Sequence, residues 1–288
     1  MLCAGRVCVV TGAARGLGFS HAAALVAEGA NVVVNDVDAA AVDAAVASLG
    51  EAAAGHAGDV SQADGADALL QTALDRWGRL DVVVNNAGIA RDRMLVNLTD
   101  DDWDAVLAVH LRSTFLLTRG AARHWREQSK AGAAVDGRVV NTVSSVGLYG
   151  HAGQANYAAA KGAIASFTLV AAEELARYGV TVNALCPTAL TPMTEAVGLG
   201  ESDDAKAGAF DPKWVSAAVV WLASSLSSDV TGRTIVASGK RLAIAEGWSR
   251  GPTAAPVDDP ALVDDVIRGL LRDAAPNADV QGDRTPPL

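Results

Sequence analysis

Only three cysteines occur, Cys3, Cys8 and Cys186. They are odd in number and lack the CxxC or Cys/His spacing of a metal site, which argues against both a disulfide framework and bound zinc. Basic residues are also few: 23 Lys and Arg stand against 33 Asp and Glu, for a formal net charge of −10. Nucleic-acid binders draw most of their affinity from Lys and Arg on phosphates, so that class is set aside. A local pocket for an anionic small molecule is not. No stretch approaches the roughly 20 unbroken apolar residues of a membrane span. The opening MLCAGRVCVVTGAARG reaches Gly and Arg too early for a signal peptide. With 50% hydrophobic and 19% charged residues the composition is not that of a disordered chain. These absences leave a reduced, cytoplasmic, soluble protein, whose 288 residues suit one large domain with a little extra.

What is present is a regular alternation. Short apolar runs rich in β-branched residues recur at Arg6–Val10, Asn31–Asn35, Leu80–Asn85, Gly137–Val143 and Val180–Leu185. They lack polar alternation, as strands of a parallel sheet covered on both faces do. Between them lie Ala-rich helical stretches: Leu17–Glu28, Ala39–Leu49, Ala63–Trp77, Asp100–Arg126 and Asn156–Arg177. Strand alternating with helix predicts βαβ units and an α/β, Rossmann-type doubly wound parallel sheet. One catalytic domain is expected over residues 1–250. Residues 251–288 differ, with six prolines and 3 Arg against 7 Asp. In that extension Leu262, Val263, Val266, Ile267, Leu270 and Leu271 fall at helical spacing, predicting one amphipathic helix between irregular ends. It would pack on its own domain, on a neighbouring subunit or over the substrate cleft.

The first predicted strand runs into Thr11-Gly12-Ala13-Ala14-Arg15-Gly16-Leu17-Gly18, directly before a helical stretch. Glycines there permit a tight turn and let backbone N–H groups and the helix N-terminus approach a pyrophosphate. Asp36 ends the second strand, where a carboxylate accepts from ribose hydroxyls and repels a 2′-phosphate, which favours NAD over NADP. Arg15 is the competing signal, since a guanidinium there would pair with that phosphate. Gly58-Asp59-Val60 and Asn86-Ala87-Gly88 follow the third and fourth strand regions, where open α/β sheets bind ligands.

Tyr157 and Lys161 are four residues apart in a predicted helix and project from one face. Ser144 lies 13 residues before Tyr157, just past a strand. An ammonium beside a phenol favours the phenolate, so Lys161 is expected to lower the pKa of Tyr157. Tyr157 would then exchange a substrate proton, with Lys161 on the nicotinamide ribose and Ser144 on the substrate oxygen.

In TGAARGLG, DV, NNAG, a Ser before YAAAK, and NALCP, taken in that order, the chain resembles the classical short-chain dehydrogenase/reductase family over about residues 5–250. The resemblance implies Ser144, Tyr157 and Lys161 as catalytic residues. It implies Gly12, Arg15, Leu17, Gly18, Asp36, Asp59, Val60, Asn86, Gly88, Pro187, Leu190 and Thr191 as contacts of NAD. VVVND, NNAGIARDR, DDWDAVLAVHLRSTF and GQANYAAAK are similar, more narrowly, to (3R)-hydroxyacyl-CoA and 17β-hydroxysteroid dehydrogenases. His110 stands where most of the family has an Asn that bends a helix and holds a water in a proton relay to the Lys; the narrower group also carries His, and His110 joins the catalytic set on that basis. Thr188 follows Pro187 where Gly is usual, bringing a β-carbon close to the nicotinamide.

The implied activity is NAD-dependent oxidation of an apolar secondary alcohol, a 3-hydroxyacyl-CoA or a 17β-hydroxysteroid. The alternatives are an NADPH-dependent ketoreductase and, more remotely, a non-catalytic NAD-binding sensor. Thr191 to Gly208, including Met193, Val197, Gly198, Leu199 and Gly200, would form a lid, and Leu148 and Tyr149 part of the pocket. Arg91, Arg93, Arg119, Arg123 and Arg126 are candidate contacts for CoA phosphates. The family resemblance implies a homotetramer or dimer built through the helices at Asp100–Arg126 and Asn156–Arg177, with no nucleic-acid or membrane partner.

Overall fold

In a computed structural model, described over residues 1–191 and 199–284, eight strands form one sheet in the order β3-β2-β1-β4-β5-β6-β7-β8. The strands are β1 (Val7–Thr11), β2 (Asn31–Asp36), β3 (Ala53–Ala57), β4 (Val82–Asn85), β5 (Gly137–Thr142), β6 (Val180–Pro187), β7 (Thr234–Ala237) and β8 (Leu242–Ala245). Every pairing is parallel except β7 with β8. The order reverses between β1 and β4, and that switch point opens a crevice beyond the strand C-termini, where open α/β sheets bind ligands.

Valine runs explain the sheet. Along β1, β2 and β4 successive side chains enter opposite cores, and both are dry. On one face Cys8, Val10, Val32, Val34, Val82 and Val84 pack with Ala22 and Leu25 of α1 (Gly16–Ala27) and with Val215, Val219 and Leu222 of the helix Lys213–Ala223. On the other, Val7, Val9, Val33 and Val83 meet Leu69 and Ala73 of α3 (Ala63–Trp77) and Leu117, Ala121 and Trp125 of α5 (Ser113–Lys130). α2 (Ala39–Leu49) flanks β2 and β3, and α7 (Ala155–Ala176) covers β5 and β6. Burying such side chains contributes about 1.5–3 kcal/mol each.

The helix expected over Asp100–Arg126 is three pieces: α4 (Asp100–Leu107), a π-wound segment Ala108–Arg112 and α5. The hydroxyl of Ser113 donates to the Val109 carbonyl, and that of Thr114 donates to the His110 carbonyl at 2.8 Å. Two hydroxyls thus satisfy carbonyls where the helical ladder is interrupted. β7 and β8 fall in stretches where the sequence pattern predicts no strand, being four residues each and, in β8, exposed at Leu242 and Ile244.

The C-terminal helix forms over Pro260–Asp273, started by Asp259, whose side chain accepts from the Ala261 N–H. Leu262, Val263, Ile267 and Leu271 of its apolar stripe are exposed. Among the described residues no helix is long and apolar enough to cross a membrane.

Candidate active site

The first βα turn is built by glycine. Gly12 and Gly16 adopt φ of +60° and +56°. A Cβ on Gly18 would lie 2.1 Å from the Gly12 carbonyl oxygen and 2.6 Å from Asn86 Nδ2. α1 therefore begins against the turn itself, and its N-cap, Arg15, provides no side-chain cap for the first N–H groups. Those orphan donors and the positive end of the helix face a cleft, a cradle that suits a pyrophosphate. The residues present thus fit a dinucleotide.

The far strand ends are tied to this turn. The Thr11 hydroxyl accepts from the N–H groups of Asn86 and Ala87, both at 2.9 Å, while Asn86 Nδ2 donates to the carbonyls of Thr11 (2.9 Å) and Gly12 (3.2 Å). Asn86 thus pins the glycine turn to β4. Below it Asn85 Nδ2 donates to Asn141 Oδ1 at 2.8 Å, and Asn141 Nδ2 to the Thr168 hydroxyl at 2.9 Å, a buried polar chain that joins β4, β5 and α7. Asp36 accepts from the Val37 N–H at 2.9 Å, and Asp59 accepts from the Ser61 N–H at 2.9 Å. Arg15 is held by Asp38, whose carboxylate lies 3.0 Å from its guanidinium.

Further along the cleft stand the residues expected to be catalytic. Ser144 caps α6 (Ser145–Tyr149), its Oγ accepting from the Val146 N–H at 3.3 Å. Tyr157 lies in the first turns of α7, edge-on to the ring of His110 at a centroid distance of 5.2 Å. Lys161 is buried with its Nζ donating to the Thr142 carbonyl at 2.6 Å and lying 5.7 Å from the Tyr157 ring. His110 belongs to the π segment. Its Nε2 sits 3.0 Å from the Ile89 N–H and 2.8 Å from the Ile89 carbonyl, so either tautomer finds a partner there, while Nδ1 is buried with no partner among the described residues. A Cβ on Gly88 would fall 2.4 Å from His110 Cε1, which is why a glycine stands there.

Burial dominates the electrostatics. It pushes His110 down to about 3, so the ring is neutral, and it lowers Lys161 to about 7. The expected depression of Tyr157 by Lys161 is not found: desolvation pushes the phenol up to about 12, and only the hydrogen bond from Ser144 opposes it. The reason is physical. A lysine that itself titrates near neutrality offers its neighbour only part of a charge, while a buried phenolate loses its hydration in full.

One cleft of about 690 Å³ brings together Gly12, Arg15, Gly16, Leu17, Gly18, Asp36, Asp59, Val60, Asn86, Ala87, Gly88, His110, Ser144, Tyr157, Lys161, Pro187 and Thr191. Leu190 is the exception and does not line it. Its N–H donates to the Phe210 carbonyl at 2.6 Å, and its side chain lies toward Gly200. Thr188 lines the cleft, and its N–H donates to the Ala237 carbonyl at 3.0 Å without left-handed backbone. Arg119, Arg123 and Arg126 do not reach this cleft; they line a separate groove between α5 and α7. Arg93 is paired with Asp102 at 2.7 Å. Of the expected lid, Met193, Val197 and Gly198 lie outside the described residues. Three contributors are given no role by the sequence motifs: Thr11, Asp38 and Gly147, where a Cβ would lie 2.5 Å from Lys161 Cβ. A Thr ending a strand and an Asp two residues past Asp36 are visible signals for the first two. Nothing local announces the third.

Comparison with known proteins gives a consistent result. The family model for short chain dehydrogenases matches residues 6–202. Hydroxyacyl-CoA dehydrogenase ChsB1 of Mycobacterium tuberculosis is 49% identical over 273 residues, covering 86% of this chain and 86% of that protein. The crystal structure of a short chain dehydrogenase from Mycobacterium avium aligns with a TM-score of 0.88 at 45% identity, covering 98% of this chain and 100% of that one. That of a 3-ketoacyl-(acyl-carrier-protein) reductase from Brucella melitensis, complexed with NADH, aligns with a TM-score of 0.74 at 28% identity, covering 81% of this chain and 96% of that one.

Proposed function

The chain belongs to the short-chain dehydrogenase family and is an oxidoreductase, and we propose that it takes NAD and oxidises the secondary alcohol of a 3-hydroxyacyl-CoA or, less closely, of a 17β-hydroxysteroid. The observation that carries this reading is the convergence of Ser144, Tyr157 and Lys161 in one cleft with the glycine turn and Asp36. The similarity to a hydroxyacyl-CoA dehydrogenase supports the substrate class.

An oxidised nicotinamide held in this cleft would supply the acceptor for the hydride of the carbinol carbon. The protein's own residues handle the proton. In oxidation Tyr157 Oη takes it from the substrate hydroxyl, and in reduction the same oxygen returns it. Ser144 has one proton to donate, to the substrate oxygen or to the phenol, and stabilises charge on the one that receives it. Lys161, buried and anchored on Thr142, holds a ribose and supplies partial positive charge beside the phenol. His110, neutral and edge-on to Tyr157, fixes the ring plane and leaves Nδ1 for a water on the path between bulk solvent and Lys161.

NAD is favoured over NADP because Asp36 lines the part of the cleft where a 2′-phosphate would sit, and Arg15, the cation that would pair with that phosphate, is already held by Asp38. NADH formation with an alcohol substrate is expected to exceed NADPH formation by about tenfold or more in kcat/KM, a difference of about 1.4 kcal/mol. Asp36→Asn narrows the gap. A preference for NADP of the same size would overturn the assignment and favour the ketoreductase reading.

The groove between α5 and α7 and the exposed Phe115, Leu169 and Val170 suit burial against a second copy, so a tetramer or dimer is expected. Light scattering that gives the mass of a single chain would contradict this. The three buried thiols suit a reducing cytoplasm.

A further inference from the structure

The last described residues fold back toward Ser144. Asp279 organises a turn: its N–H donates to the Asp283 carbonyl at 2.9 Å, and its Oδ1 accepts from the N–H groups of Gln281 (2.9 Å) and Asp283 (3.0 Å). An isolated bridge between Ala278 and Arg284 closes it. The turn sits between two elements. On one side Gly282, at φ +87°, lies against the ring of Tyr149, so that a Cβ there would fall 3.0 Å from Cε2, Cζ and Oη. On the other, Arg241, beside β8, donates from Nη1 to the Gln281 carbonyl at 3.1 Å and places Nη2 3.8 Å from the Asp283 carboxylate.

Tyr149 is the last residue of α6, and Ser144 is the N-cap of the same helix. Midway, Gly147 is pressed onto α7 so closely that a Cβ would lie 2.7 Å from the Gly162 nitrogen and 2.5 Å from Lys161 Cβ. A helix of five residues has little stability of its own, so its placement depends on what holds its ends. The helix Pro260–Asp273 has no fully buried residue, whereas the turn makes specific contacts with Tyr149 and Arg241.

We propose that the Asp279–Arg284 turn is a positioning element of the active site: it holds Tyr149 and thereby fixes α6, the Ser144 hydroxyl at its start and the contact of Gly147 with the Lys161 backbone. Gly282 and Arg241 are the positioning residues. The proposal rests on the oxidoreductase reading for its effect on turnover, but not for its effect on α6.

Two full-length variants test it, each scored by amide exchange and by kinetics. Gly282→Val places a branched side chain against Tyr149 at a left-handed backbone position, and Arg241→Gln removes the guanidinium that grips the turn. Each is expected to speed amide exchange at Gly147, Leu148 and Gly150 by about tenfold while the amides of β1 and β4 are unchanged. Each should lower kcat about fivefold to tenfold with NADH affinity within about twofold, because the glycine turn is untouched. Arg241→Lys, which keeps a cationic donor, should recover at least about half of the lost kcat. Unchanged exchange in α6 overturns the proposal, and so does a loosened α6 with wild-type kcat. The exchange arm reads the brace alone, whereas Tyr157→Phe reads the oxidoreductase assignment, so the two fail separately.

Discussion

Tyr157→Phe is expected to lower kcat about a thousandfold, within the range of about 10²–10⁴ that a positioned acid–base group contributes, and to leave NADH affinity within about threefold. The substitution removes one oxygen and keeps the ring, so the edge contact with His110 at 5.2 Å and the approach of Lys161 at 5.7 Å both survive. Loss of turnover therefore reports the hydroxyl rather than the fold. The pH dependence is part of the same expectation. In the proposed mechanism Tyr157 is the base in oxidation, and burial raises it to about 12. The fraction of phenolate, and with it the oxidation rate, should climb with pH across about pH 7 to 10, by up to about tenfold per unit. Reduction needs the protonated phenol and should stay flat over that range. Ser144→Ala removes the bond that opposes the upward shift and should displace the oxidation limb to still higher pH. Initial rates in both directions across pH check this; a Phe variant with wild-type rates would remove Tyr157 from the mechanism.

Gly18→Val should weaken NADH binding by at least about a hundredfold, or about 2.7 kcal/mol. The neighbour a side chain would strike is the Gly12 carbonyl, whose oxygen lies 2.1 Å and whose carbon lies 2.8 Å from where a Cβ on Gly18 would stand. Backbone cannot swing aside as a flexible side chain does. Either α1 retreats from the turn, taking its free N–H groups away from the pyrophosphate, or the turn shifts and breaks the Asn86 bonds to Thr11 and Gly12. Overpacking of this kind costs about 1–3 kcal/mol of stability, which leaves the fold measurable by circular dichroism. Calorimetric titration with NADH reads the loss. Wild-type affinity in Gly18→Val would mean that the turn is only a strand–helix connection.

Much of the fold is legible in residue order because the physics is local. β1, β2, β4, β5 and β6 lie within two residues of their expected ends, since valine runs buried on both faces carry no ambiguity of period. α2 and α3 match their expected spans, as alanine-rich segments between strands do. β3 reads Ala-Ala-Gly-His-Ala and carries no β-branched residue, so its place shows only through Asp59 beyond it. β7 and β8 are four residues each, as β4 is, but lack its unbroken valine run. The π segment at His110 has no pattern of its own because its cause is a pair of hydroxyls, Ser113 and Thr114, bonded to the preceding turn. The cleft residues are legible through spacing, since a strand end followed by a helix start fixes where side chains gather. Leu190 departs from that spacing because its orientation depends on a long-range bond to Phe210. The phenol's upward shift is hidden from the sequence because the pairing with Lys161 is visible there while the depth of burial is not. The docking of Gly282 on Tyr149 joins residues far apart in the chain, and no local pattern encodes it.

The most direct test of the central claim is continuous measurement of NADH formation when the wild-type protein is given NAD and a 3-hydroxyacyl-CoA, with a 17β-hydroxysteroid and a simple secondary alcohol in parallel. Steady turnover on the acyl-CoA, with the highest kcat/KM of the three and loss of the signal in Tyr157→Phe, is the predicted result. No NADH from any of the three alcohols, in a protein that binds NADH tightly, would contradict it.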